Sequence, residues 1–134
     1  MNEKIIIGVC IILFILGIVF IITNLIDIIK LRKERQLIKG TYEYNKANYE
    51  AKITIINKKI NNLKIGESDD NVFITEFTHL NYEKEHTRLL LNNELKKYRN
   101  SMIKNLNMRG KCLIIILLSF TIMMLSLITI FKIL

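Results

Sequence analysis

The chain has 134 residues, is 51% hydrophobic and yet carries a formal net charge of +8; a length like this makes one domain at most on ordinary size priors. Its two cysteines cannot by themselves build a disulfide scaffold or a four-ligand zinc site. A chain without Pro and this rich in Ile is not a low-complexity linker either. Ile, Asn and Lys supply 56 of the 134 residues. All three are encoded by A/T-rich codons, so lysine abundance alone carries no argument about partners. Where the charges fall does.

The first predicted element is Ile5 to Thr23, nineteen residues without a charge, and its counterpart is Leu113 to Phe131, nineteen more. At about 1.5 Å per helical residue each run covers roughly 28 Å, close to the ~30 Å hydrocarbon core of a bilayer. A core helix in a soluble domain has no reason to be apolar on every face. The first run exceeds a typical signal-peptide h-region, no small-x-small cleavage site follows it, and the expectation is a retained span.

The flanks predict orientation. Lys30, Arg32, Lys33, Arg35 and Lys39 follow the first run, and Arg99, Lys104, Arg109 and Lys111 precede the second. The outer flanks hold only Lys4, offset by Glu3, and Lys132. Positive residues stay on the cytoplasmic side. The predicted order is a short outside tail (1–4), a transmembrane helix with its cytoplasmic extension (5–29), a cytoplasmic segment (30–111) and a second transmembrane helix (112–134). Both termini are expected outside, with residues 31–111 cytoplasmic.

Residues 31–111 hold 17 Lys and Arg against 10 Asp and Glu, a local charge of +7. Their one clear punctuation predicts a turn at 65–71, with Gly66 at a helix C′ position and Ser68, Asp69 or Asp70 capping the next helix. The turn splits the segment into arms of near-equal length, which suits an antiparallel hairpin. Tyr42, Tyr49, Ile53, Ile56, Ile60 and Leu63 fall on a 3-4 heptad frame with Lys46 its polar interruption, and Leu91, Leu95, Tyr98 and Met102 do the same in the second arm. Lys52 to Ile56 has strand propensity, but its alternation ends after five residues, so a β-hairpin is the weaker alternative. The expected fold class is an all-α membrane protein: two transmembrane helices joined by a cytoplasmic antiparallel coiled-coil hairpin.

Small residues recur every seventh position in the apolar runs: Cys10, Gly17 and Asn24 in the first, Cys112, Ser119 and Ser126 in the second. Within lipid, helices associate by close approach at small residues and by polar contacts, so these six are expected to pack the spans together. Gly40 and Gly110 would permit a bend near each membrane exit. Cys10 and Cys112 are expected too far apart to bridge, and Cys112 beside Lys111 is an acylation candidate whose simpler reading is a packed small residue. His79, Glu83 and His86 share a helical face but offer only half of a bundle metal motif, so no cofactor or metal is expected. Asp27 is expected to pair at the interface with the basic flank.

Function is expected to be binding rather than catalysis. The sequence has no Gly-rich phosphate loop, no Gly-x-Ser-x-Gly elbow and no His-Glu-x-x-His. Its basic residues are not interleaved with aromatic ones, which argues against nucleic acid. Lys30, Arg32, Lys33, Arg35, Arg109 and Lys111 are expected to meet anionic lipid headgroups. The expected role is a small scaffold or protein-interaction module whose partners are membrane lipid, another membrane or cytoplasmic protein, or a second copy of itself. The alternatives are a membrane-active oligomer (a holin-like or toxin-like pore, or a small channel) and an insertase-like or immunity-type accessory protein. The insertase analogy rests on arrangement alone, since a third core span and a hydrophilic groove are not found.

Overall fold

A computed structural model describes residues 2–65 and 70–134, and among these every residue except Leu134 is helical. Helix α1 spans Asn2–Ile65 and helix α2 spans Asp70–Ile133, 64 residues each. Lys52 to Ile56 lies inside α1, and no strand occurs among the described residues. Five alternating residues cannot compete with a helical period that runs on past both of their ends. The predicted roles of Gly66, Ser68 and Asp69 fall outside the described residues, while Asp70 opens α2. Helix α1 continues through Gly40 and α2 through Gly110, and no described glycine has a positive φ.

Contacts divide the chain into two compact units, Met1–Arg35 with Ile103–Leu134, and Gln36–Met102. In the first unit the two helical segments run antiparallel: Gly17 lies against Ser119 and Met123, and Leu31 against Asn105. Every seventh residue of the seam is buried, namely Cys10, Gly17, Asn24 and Leu31 on α1 and Asn105, Ser119 and Ser126 on α2, with half-buried Cys112 in the same period. Half-buried Phe14, Ile21 and Ile28 alternate with the first set, and Ile116, Met123 and Ile130 with the second. Alternating 3-4 spacing keeps one stripe facing the partner helix. Small residues in alternate layers let the two backbones approach, and the larger side chains lap over them.

The rest of the apolar sequence in this unit faces outward. Only 11% of the most apolar stretch of each helix is buried. Ile5, Ile12 and Phe20 on α1 and Leu117, Leu125 and Phe131 on α2 are each more than half exposed. By length and composition both helices are able to cross a membrane.

The second unit is an antiparallel helical pair. Ile56, Ile60 and Leu80 form its core, with Leu63 and Phe77 packed against them. Farther along, Asn45 donates from Nδ2 to Glu94 Oε2 at 3.2 Å, and Tyr42 stacks on Tyr98 with ring centroids 4.4 Å apart. Here the seam departs from the frame expected of it. Lys46 is exposed and pairs with Glu50 at 3.7 Å, while Asn45 takes the seam position. The alternation set by Ile38 and Tyr42 calls for a step of three before Tyr49. An asparagine there is satisfied by Glu94, whereas an ammonium keeps its water by staying outside. The seam residues Tyr42, Asn45, Tyr49 and Ile53 thus follow 3-4-4 spacing, as do Leu91, Glu94, Tyr98 and Met102, and such steps locally relax a coiled coil.

Candidate functional site: seams, basic flank and outer faces

Among the six residues expected to pack the spans, Cys10, Gly17, Asn24, Ser119 and Ser126 are buried and Cys112 is half-buried. Close approach is measurable at Gly17. A methyl group there would overlap Met123 Cγ, lie 3.0 Å from its Sδ and stand 3.4 Å from the Ser119 carbonyl oxygen. Polar contacts play a different part from the one anticipated. Asn24 Nδ2 donates to Phe20 O at 2.8 Å, Ser119 Oγ to Ile115 O at 2.8 Å and Ser126 Oγ to Ile122 O at 2.9 Å, all within their own helices. Backbone carbonyls satisfy these side chains, so they enter the seam without needing a partner across it.

The cross-helix polar contact of this unit lies at its basic end. Asn105 is 4% exposed, and its Nδ2 donates to Leu31 O at 2.9 Å and to Glu34 Oε2 at 3.4 Å. Sequence reasoning missed this contact, because an isolated Asn in a heptad frame reads as an interruption until its partner is known. Asp27 pairs with Lys30 at 3.9 Å. The two acids of the basic flank are therefore engaged, Asp27 by Lys30 and Glu34 by Asn105. Arg32, Lys33, Arg35 and Lys111 are exposed and Arg109 is half-buried; none of the five pairs with an acid among the described residues.

The hairpin-interface residues fall in the second unit. Ile56 and Ile60 are buried, and Tyr42, Tyr49, Ile53, Leu63, Leu91, Leu95, Tyr98 and Met102 are half-buried. A groove of about 400 Å³ runs beside the stacked tyrosines, edged by Leu37, Thr41, Lys97 and Ser101. His79 borders a second, more open groove with Val72, Thr75 and Glu76, and His86 stacks on Tyr82. No group of three potential metal ligands gathers among the described residues. Cys10 and Cys112 are both free thiols. Counting along the seam from the Gly17–Ser119 contact, Asn24 comes level with Cys112, which leaves Cys10 two heptads away. The arrangement offers apolar, basic and helical faces to other molecules. No protein-family model, curated protein or solved structure matches the chain.

Proposed function

We propose that the chain is a two-pass membrane protein. In this reading the apolar segments of α1 and α2 lie in the bilayer, and residues 36–102 form a cytoplasmic coiled-coil hairpin that docks proteins at the membrane surface. The observation that carries it is the 11% burial of each helix's most apolar stretch. In water that surface would be an apolar patch far beyond what soluble monomers tolerate; in lipid it costs nothing. The unpaired cations Arg32, Lys33, Arg35, Arg109 and Lys111 suit a flank lying at anionic headgroups, where each contributes about 1 kcal/mol. Their bias toward the middle segment supports a cytoplasmic location for that segment, with both termini outside.

Docking is assigned to the hairpin because its outward surface carries apolar and aromatic side chains, with Tyr82 73% and Leu89 57% exposed. Aromatic anchors of this kind dominate the energetics of protein interfaces. The pore alternative draws on Ser119, Ser126, Thr121 and Thr129. Each of these hydroxyls donates to a carbonyl of its own helix, and the two serines face the seam. With both serines in the seam, Thr121 and Thr129 alone do not make a continuous polar stripe.

The test is a photo-crosslinking residue at Tyr82 or Leu89 of the full chain in native membranes. A discrete adduct with a partner protein is expected at these positions and not at Ile12, which faces lipid in this reading. Adducts with lipid alone at all three positions would overturn the docking role.

A further inference from the structure

Arg109 sits in the seam of the first unit. It continues the alternating 3-4 frame of Asn105, Cys112, Ile116, Ser119 and Met123, and like Ile116 and Met123 it is half-buried. From Asn105 to Ile130 it is the one charged residue of that frame. Long cationic side chains lay their stems along apolar surface and keep the charged head in polar surroundings. A guanidinium whose stem is already packed gives up less freedom on binding than a free side chain does. Counting along the seam from the contact of Asn105 with Leu31 O, Arg109 comes level with Asp27. That carboxylate pairs instead with Lys30, at 3.9 Å, and Arg109 has no acid partner among the described residues. Leu113, where the second uncharged run begins, is about one helical turn away.

The surroundings of Arg109 select the kind of anion it meets. The first unit holds three acids, Glu3, Asp27 and Glu34, and none on α2 from Ile103 to Leu134. Glu3 lies at the far end of α1, Asp27 is engaged by Lys30, and Glu34 accepts from Asn105. The flank therefore offers no free carboxylate to a cationic headgroup, and the exposed cations Arg32, Lys33, Arg35 and Lys111 repel one. A headgroup with a phosphate and no ammonium suits both conditions. We infer that Arg109 binds the phosphate of an anionic glycerophospholipid. The inference rests on the membrane reading above, which sets this end of the helix pair among headgroups, and it adds a particular residue and a lipid class to that reading. The planar fork of a guanidinium takes two phosphate oxygens at once, a geometry that an ammonium does not match. The exposed cations gather such lipids around the flank, and Arg109 holds one in place.

The test offers the full chain, purified in a non-ionic detergent, an equimolar mixture of phosphatidylglycerol and phosphatidylcholine and reads the retained lipid by native mass spectrometry. Phosphatidylglycerol is expected to be retained in preference. Arg109→Gln is expected to lower that preference by about tenfold. Arg32→Gln removes the same charge from the exposed flank and is expected to lower it by about fivefold or less. Arg109→Leu gives the seam an apolar side chain of the kind it has at Ile116, so the helix pair is kept while the preference falls as it does with Arg109→Gln. Equal losses with Arg109→Gln and Arg32→Gln would show a diffuse belt of charge and overturn the inference. So would equal retention of the two lipids, or a preference that survives Arg109→Leu. Millimolar inorganic phosphate that strips the bound phosphatidylglycerol would make the ligand a soluble phosphate and overturn the lipid assignment. Protein released from native membranes by alkaline washing would overturn the membrane reading and the lipid site with it. Protein that stays in the membrane and shows no preference for phosphatidylglycerol overturns the lipid site alone.

Discussion

Gly17 and Gly8 are both helical glycines in the first apolar run, yet they stand in opposite environments. A side chain at Gly17 collides with Met123, while a Cβ at Gly8 meets nothing within 4 Å. Met123 is flexible enough to swing aside for one methyl group, so Gly17→Ala should be mild. Gly17→Leu must part the helices and is expected to cost about 1–3 kcal/mol, as overpacking does. Gly8→Leu should stay within about 0.5 kcal/mol of the parent. Thermal unfolding in detergent followed by circular dichroism measures both, and equal losses would show that the seam does not run through Gly17. Asn105 gives a second contrast. Asn105→Ala removes the bonds to Leu31 O and Glu34 and is expected to cost about 1–2 kcal/mol, because Leu31 O keeps its helical partner. The same unfolding measurement checks it.

At the scale of the helices, much was legible and the misreadings have physical causes. Two uncharged nineteen-residue runs announce long apolar helices, since they far outrun the roughly 4–8 residues of a buried strand. The second helix keeps a seven-residue period through Leu91, Tyr98, Asn105, Cys112 and Ser119, although its seam takes a 3-4-4 step between Leu91 and Met102. The first arm was harder to read between Tyr42 and Tyr49, where Asn45 and Lys46 are both polar and only the Glu94 partner separates them. The stacked tyrosines sit where both helices take their 3-4-4 steps. A double-mutant cycle of Tyr42→Ala and Tyr98→Ala should return a coupling of about 0.5–1.5 kcal/mol. Additive losses would mean that the rings do not stack.

For the whole molecule, the opposition between an apolar half and a net charge of +8 resolves by position. Apolar side chains crowd the ends of the chain and face outward, while the cations gather in the stretch between. In the proposed reading the apolar ends serve as the anchor and the cations between them set its orientation. The central claim is therefore topological. The most direct measurement is labelling of intact cells with a membrane-impermeant maleimide, using single cysteines at Asn2, Leu89 or Leu134 in a chain whose Cys10 and Cys112 are serine. Labelling is expected at 2 and 134 in intact cells, and at 89 only after permeabilisation. Labelling at 89 in intact cells, with 2 and 134 protected, would contradict it.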